Sequence, residues 1–576
     1  MYILGVNAYH GDSSACIYKD GVLIAATEEE RIRRFKHWAG LPTEAIKFCL
    51  NEAGITLKEV DYITVSRNPL AKINEKIFHS LKKMISVSAI KDRAGNSLKI
   101  KSIKKDIAEV LGYQEKEIKA KVRFVEHHRS HIASAFLVSP FEEAAILSVD
   151  GFGDFTSTMR AIGKGNKIEV IDSISYPHSL GAFYTTFTQF LGFPHYGDEY
   201  KVMGLAPYGK PTEVDKLKEV LLFKKNGIFE LNEKYFRHFK EGVSMSWENG
   251  DPHIEPMYSE FLIKQFGTPR AKDEPLNEYH KNLATSVQRI CEEMVFYMAE
   301  DLYKKTGLKN LCVTGGVAQN SVANGKMIAQ TSFEKLFVPP AGHDAGTSVG
   351  SALFTYHHEL GKPRLPFKHE PYTGAKFNNQ EIESYLKIRG IEFIKYDDDE
   401  LFDIVSDCLM NAGVVGWFQG RAEFGPRALG NRSILADPRR ADAKDLLNAK
   451  IKRRESFRPF APSILREHAF EYFEVDDSVP FMEKVFPIRP EKRSIIPAVT
   501  HVDGTGRLQT VEECDNPKYY RLIKKFSEKS GVPILLNTSF NENEPIVNTP
   551  EHALECYLRT KMDMLVMENI VIKRYE

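Results

Sequence analysis

The sequence predicts a mixed α/β fold in two domains, the first of them internally duplicated. Three observations carry this. A strand, polar turn, strand, turn, strand unit opens the chain and returns near residue 145. A Pro- and Lys-rich stretch over residues 361–374 separates regions of different character. At 576 residues the chain is also too long for one ordinary core. The expected parts are a first domain over 1–360, a linker over 361–374 and a second domain over 375–576.

The repeat can be followed strand by strand. Residues 2–6 read as an apolar strand ending in the polar turn His10-Gly11-Asp12-Ser13-Ser14. Strands over 15–18 and 22–26 follow, joined by Lys19-Asp20-Gly21, an Asp-Gly hairpin signal. A helix is expected over 42–54, with Pro42 in its first turn and Gly54 at its end. In the second copy, residues 144–149 are a strand and Asp150 to Asp154 an acidic Gly-rich turn. Strands over 157–162 and 168–174 follow. Two such lobes facing each other would set both polar turns at one cleft. Phe190 to Lys210 reads as a Gly- and aromatic-rich binding loop. Residues 276–306 carry helical periodicity. A strand over 310–313 then runs into Gly315-Gly316 and a helix, a geometry that brings backbone N–H groups to phosphate or ribose.

Composition excludes several classes. Lys+Arg and Asp+Glu both number 78, so no global charge favours nucleic acid or an anionic membrane. No apolar run is long enough for a membrane helix, and no leader pattern precedes the first strand. Seven cysteines without a C-x-x-C pair point to reduced thiols and a cytoplasmic protein.

Two groups of residues carry chemistry. In Glu126-His127-His128-Arg129-Ser130-His131, His127 and His131 are four apart and share one helix face, where a single ion could bridge them. Asp150 and Asp344 add oxygen donors. Two nitrogens and two oxygens suit Fe2+, Zn2+ or Mn2+ better than Ca2+. The polar turns, the Gly-Gly loop and the Asp344 loop together resemble an actin-like nucleotide cleft. Beyond the linker, residues 427–458 hold ten Lys/Arg against four Asp/Glu. Arg427, Lys452, Arg454, Arg458 and Arg507 lie among Gly, Pro and aromatic residues, where turned backbone holds a guanidinium fork. That suits a small phosphorylated substrate better than nucleic acid. A strand over 533–536 delivers Asn537-Thr538-Ser539-Phe540-Asn541.

These motifs stand in one order over nearly the full length. They include Asp12-Ser13-Ser14-Ala15, Lys36-His37, His127-His128-Arg129-Ser130-His131 and Asp150-Gly151-Phe152-Gly153-Asp154. They continue through Thr314-Gly315-Gly316-Val317-Ala318-Gln319-Asn320, Asp344-Ala345-Gly346, Gly425-Pro426-Arg427-Ala428-Leu429-Gly430-Asn431-Arg432-Ser433 and Phe457-Arg458-Pro459-Phe460. Together they resemble the NodU/CmcH-type carbamoyltransferase family (TobZ-like O-carbamoyltransferases). The resemblance implies an actin-like, TsaD-like (ASKHA) first domain and a YrdC-like second domain. The second would make carbamoyladenylate from carbamoyl phosphate and ATP, with Mg2+ accompanying ATP. The first would transfer the carbamoyl group to a hydroxyl of a small-molecule acceptor, a sugar or another natural product.

The same resemblance implies that His127, His131, Asp150 and Asp344 hold an Fe2+-like ion. It implies that Gly151, Gly153, Glu199, Lys201, Gly204, Gly315, Gly316 and Asn320 line the adenosine site. Arg427, Lys452, Arg458, Arg507, Asn537 and Ser539 would bind carbamoyl phosphate and the nucleotide phosphates. His10 and Asp12 are the candidate bases, with His37 behind them, and Lys36 is a further catalytic candidate. Many members read His-Asp directly where this chain reads His10-Gly11-Asp12, so both candidates stay open. Residues 68–110 and 211–275 depart from the shared motifs and would set acceptor choice. A homodimer is allowed; nucleic acid and membrane are not expected as partners. The competing readings are a tRNA threonylcarbamoyladenosine enzyme and a non-catalytic actin-like ATP-binding regulator.

Overall fold

Two five-stranded sheets of one topology build the first unit, Met1–Ala323 with Met327–His369. The computed structural model describes residues 1–76, 100–241, 243, 245, 246, 250, 252–365 and 371–574. Part of the expected linker (366–370) and of the two acceptor stretches (77–99, 242, 244, 247–249 and 251) lies outside the described residues. In the first sheet β1 (Tyr2–Asn7) pairs antiparallel with β2 (Ser14–Lys19), and β2 with β3 (Val22–Glu28). On its other edge β1 runs parallel to β4 (Tyr62–Val65), and β4 to β5 (Lys121–Phe124). In the second sheet β6 (Glu143–Gly153) pairs antiparallel with β7 (Thr156–Lys164), and β7 with β8 (Lys167–Ser175). Its other edge is parallel to β9 (Asn310–Thr314), and β9 to β10 (Lys335–Phe337). The repeat of sequence pattern is therefore a repeat of strand order and direction.

Helices sit where the periodicity places them. α1 (Thr43–Glu52) buries Ala45, Ile46, Cys49 and Leu50, an i, i+3, i+4 face against the first sheet's core. α2 (His127–Phe136) carries the histidine pair. α3 (Leu180–Phe190) leads into the aromatic stretch, and α4 (Glu199–Leu205) lies inside it, so that part of the 190–210 stretch read as a loop is helical. α5 (Glu278–Thr306) is capped by Asn277 and closed by Gly307 at φ 66°. α6 (Ser321–Gln330) follows the Gly-Gly loop, and α7 (Thr347–Leu353) follows Asp344. The small residues of α2 and α7 matter here. A Cβ at Gly350 would lie 1.8 Å from the Ser130 carbonyl oxygen, so only glycine admits this approach.

One boundary differs from expectation. Asp150 to Asp154 reads as a turn, but β6 continues to Gly153 and the turn falls on Asp154 and Phe155, at φ 51° and 72°. The ladder with β7 shifts between Val149 and Gly153, so the intervening residues are bulged while still extended. That bulge frees Asp150 to aim away from the strand pairing.

The second unit, Asn324–Lys326 with Glu370–Glu576, is built on a nine-stranded mixed sheet. Its strands are β11 (Ile394–Lys395), β12 (Val415–Phe418), β13 (Arg432–Ala436), β14 (Ala461–Leu465) and β15 (Lys484–Pro487). They continue with β16 (Thr505–Val511), β17 (Ile534–Ser539), β18 (Met564–Met567) and β19 (Ile570–Lys573). The spatial order is β11-β19-β18-β12-β13-β17-β14-β16-β15. Both faces are apolar, and residues alternate between them with the strand period. Trp417, Leu435 and Leu535 pack under α9 (Asp398–Met410) and α10 (Pro517–Ser530). Phe418, Ile434 and Leu536 pack under α8 (Asn379–Ile388) and α11 (Pro550–Arg559).

The stretch expected as a linker is held at both ends. Arg364 donates to the carbonyls of Phe136, Ser139 and Phe141 and stacks on the Phe136 ring at 4.8 Å, closing the C-terminal end of α2. At the other end Gly374 N–H donates to Ala422 O at 2.9 Å, and Phe424 N–H to Pro371 O at 2.7 Å. Arg364→Ala should destabilise the first unit by about 1–3 kcal/mol through three lost charge-assisted bonds, read as a lower urea midpoint.

Candidate active site

The helix α2, the bulged end of β6 and the loop before α7 bring four side chains to one point. His127 Nε2 and His131 Nε2 lie 3.1 Å apart. Asp150 Oδ2 is 3.1 Å from the first and 3.0 Å from the second. Asp344 Oδ1 is 3.4 Å and 3.2 Å from them. All four residues are buried, and one donor atom from each falls within 4.8 Å of the others. Each carboxylate has its second oxygen committed elsewhere. Asp150 Oδ1 accepts Gly316 N–H at 3.0 Å, and Asp344 Oδ2 lies 2.6 Å from His10 Nδ1. The set is thus two imidazole nitrogens and one oxygen from each aspartate, a donor chemistry that fits a borderline divalent ion.

The two carboxylates hold positive charge at this point. Burial works against charge on His127, but hydrogen bonds to Asp150 and Asp344 outweigh it and hold the imidazole up at about 10. Burial likewise disfavours both carboxylates, yet the histidines facing them keep Asp150 and Asp344 well below the usual range. His128, buried behind the pair with Nδ1 on Ser148 Oγ at 2.8 Å, is driven well below 6.5 by burial and by its two neighbours. Packing orients the ligand rings. A Cβ at Gly153 would lie 2.0 Å from the His127 ring, and Asp154 anchors the helix start by accepting His127 N–H at 3.0 Å.

The first polar turn reaches this centre through His10. Asp12 instead pairs with His37, whose Nδ1 is 2.7 Å from Asp12 Oδ1 and whose N–H donates to Glu30 at 2.8 Å. Burial lowers His37, but the Asp12 carboxylate raises it to about 9. Lys36, next in sequence, is exposed. The sequence reading missed Tyr196. A Cβ at Gly11 would lie 2.4 Å from its phenol oxygen, so the extra glycine between His10 and Asp12 makes room for this ring. The phenol is pushed well above its ordinary value by burial and by Asp344, Asp12 and Asp150. The signal was its place in the aromatic loop that already stood out.

The expected adenosine-site residues divide. Gly151, Gly153, Gly315 and Gly316 border Asp150, and Gly315, at φ 91°, leaves only 2.2 Å between a Cβ and Val149 O. Glu199 accepts the Thr185 hydroxyl at 2.6 Å, burial raising its carboxyl, and Lys201 pairs with Asp198 at 2.9 Å. Gly204 is buried within α4. Asn320 exchanges two 3.0 Å bonds with Gln288, and its Oδ1 also caps α6. Its amide thus locks α5 to the Gly-Gly loop, a role that sequence pattern does not reveal because Gln288 lies in a long helix.

In the second unit Arg507 is held well below its ordinary value by burial and then by Arg427, Arg454 and Arg458, so four guanidinium groups share one neighbourhood. Among the described residues Arg507 Nε has no partner. Glu455 lies 3.5 Å from Arg458. Lys452 is 1% exposed, and its ammonium meets Ser539 O, Asn541 O at 2.8 Å and Asn541 Oδ1 at 2.7 Å. These are neutral oxygens that solvate the ammonium. Asn537 and Ser539 lie on β17 itself, two apart and so on one face. Asn537 Nδ2 donates to Ala428 O, Ser463 Oγ and Gln509 Oε1 at 3.2, 3.1 and 3.0 Å, tying the strand to the loop that follows Arg427.

Comparison with known proteins places this geometry. The family model described as Carbamoyltransferase N-terminus matches residues 2–353, and the one described as Carbamoyltransferase C-terminus matches residues 406–574. The protein sll1178 of Synechocystis is 42% identical, over 100% of this chain and 97% of its own. Nodulation protein NolNO of Sinorhizobium fredii is 39% identical, over 99% and 80%. A 3'-hydroxymethylcephem-O-carbamoyltransferase of Amycolatopsis lactamdurans is 28% identical, over 76% and 78%.

The Asp12–His37 pair gives a pH-dependent expectation. Because His37 is raised from 6.5 to about 9, the pair's stabilisation is fully present below 6.5 and is lost as pH rises through about 9. NMR titration of ring-labelled histidine should place His37 near 9, and Asp12→Asn should lower it, since burial remains and only Glu30 is left to oppose it.

Proposed function

This chain belongs to the carbamoyltransferase family, and from that premise we propose an ATP-dependent O-carbamoyltransferase that works in two steps. In the first, the YrdC-like second unit converts carbamoyl phosphate, ATP and water to carbamoyladenylate, pyrophosphate and phosphate. In the second, the actin-like, TsaD-like first unit passes the carbamoyl group to a hydroxyl of a small-molecule acceptor, and AMP leaves. Activation is needed because a carbamoyl carbon is a poor electrophile until it carries a good leaving group.

The observation that carries the reading is the arginine cluster. Four half-buried guanidinium groups share one neighbourhood, and the same unit holds the buried ammonium of Lys452, a set of cations suited to polyanionic ligands. Carbamoyl phosphate and the ATP phosphates are such ligands, and planar forks suit them. Arg427, Arg458 and Arg507 would grip phosphate, while Ser539 and Asn537 present the strand edge behind it.

In the first unit the roles follow from which atoms are already committed. His10 Nδ1 faces Asp344, which leaves Nε2 to take the proton of the acceptor hydroxyl. Asp12 is the weaker base, because its carboxyl is held low by the His37 cation against the opposing effect of burial. It suits orienting the acceptor instead. Gly151, Gly153, Gly204, Gly315 and Gly316 give the adenylate close backbone approach, with Glu199 and Lys201 at the edge. A divalent ion, Fe2+ before Zn2+ or Mn2+, held by His127, His131, Asp150 and Asp344 would supply Lewis-acid stabilisation of charge on the adenylate phosphate.

Incubation with carbamoyl phosphate and ATP should yield carbamoyladenylate and pyrophosphate; a requirement for bicarbonate and threonine instead would sink the reading. Arg458→Ala and Arg507→Ala should lower adenylate formation by about 100-fold or more while transfer from supplied adenylate persists. His127→Ala should lose the bound metal by elemental analysis and keep adenylate formation. His10→Ala should slow transfer by about 100-fold or more with metal content unchanged.

A further inference from the structure

Glu423 stands four residues ahead of Arg427 and is 2% exposed. Its Oε1 accepts three backbone N–H groups, from Leu429 at 2.8 Å, Asn431 at 2.8 Å and Arg432 at 3.1 Å. The carbonyls of the same segment are held by side-chain amides. Asn537 Nδ2 donates to Ala428 O at 3.2 Å, Gln509 Nε2 to Leu429 O at 3.0 Å and Gln419 Nε2 to Gly430 O at 3.1 Å. Tyr372 donates a second bond to Leu429 O, also at 3.0 Å. The segment after Arg427 is therefore clamped through both kinds of backbone group. Gly430, at φ 104°, supplies the turn, with a Cβ excluded by the Tyr519 ring at 2.2 Å.

A buried carboxylate is an expensive way to tie down a loop. Charge-assisted bonds to three amides offset its desolvation, and a neutral group would serve packing at lower cost. The loop it clamps begins at Arg427, whose guanidinium lies in the neighbourhood of Arg507, so the clamp fixes where that guanidinium is presented. We propose that Glu423 is a positioning residue that holds Arg427 in its place before carbamoyl phosphate arrives, so that the anion meets a preorganised site. This rests on the reading of the second unit as the carbamoyl-phosphate site.

The test is adenylate formation by the full chain carrying Glu423→Ala, Glu423→Gln, Arg427→Ala or both Ala changes. Glu423→Ala should raise KM for carbamoyl phosphate by about 10- to 100-fold and change KM for ATP far less. Glu423→Gln keeps an oxygen for the three N–H groups and should restore most of the affinity. The double variant should be no worse than Arg427→Ala alone, because both changes remove one function. An unchanged KM for carbamoyl phosphate, or effects that multiply in the double variant, would overturn the proposal. Retained ATP binding with an unchanged thermal unfolding midpoint of the second unit reports that each variant is folded. If Glu423→Ala loses either, Gln509→Leu, which releases the loop from its carbonyl side, must show the same KM shift, and no shift overturns the proposal. A parent chain that forms no adenylate overturns the functional reading itself, whatever the variants do.

Discussion

Asp150 and Asp344 each divide their two oxygens between the histidine pair and a second partner, and the first unit's site depends on that division. One oxygen of each faces His127 and His131; the other takes the Gly316 amide or meets His10. The aspartates therefore join three separate segments at one point. The strand bulge aims Asp150, the Gly-Gly loop fixes it, and the loop before α7 brings Asp344 beside the first polar turn. Because all four donors are buried, their charges are strongly coupled, and none could be lost without leaving the others uncompensated.

The second unit solves the opposite problem. It gathers like charges rather than opposite ones, and so needs rigid support. Lys452 is solvated by neutral oxygens of β17 and the residues beyond it, Asn537 links that strand to the loop after Arg427, and Glu423 clamps the loop. The polar network around it, from Gln419 through Asn431 and Asn516 to Tyr372, gives the turned backbone partners that water would otherwise supply. One chain thus carries a centre of paired histidines and aspartates and a cluster of guanidinium groups, each in its own unit.

Much of this was legible from residue order. The strand repeat appeared as alternating apolar runs with polar turns at matching places, because a period of two and an Asp-Gly hairpin are local properties. His127 and His131 were legible as a pair because helical spacing is local too. Tyr196, Gln288 and Glu423 were not. Tyr196 and Gln288 act on segments tens to more than a hundred residues away, while Glu423 acts on backbone six to nine residues on, which only the fold of that turn brings onto its carboxylate. The extra Gly11 left the choice between His10 and Asp12 open in the sequence, and in the structure the Tyr196 ring occupies the space beside it.

Sequence alone determined the α/β class, the duplication, the two-part organisation and the residue types of both centres, since these follow from local periodicity and composition. Tertiary structure decided which oxygen of each aspartate faces the histidines, that His10 rather than Asp12 reaches Asp344, and that Asn320 and Asn537 spend their amides on the scaffold. Those outcomes turn on distances of a few tenths of an ångström between atoms remote in the chain. Only the packed backbone, with its bulge at Asp150 and its glycines at 153, 315 and 350, sets such distances.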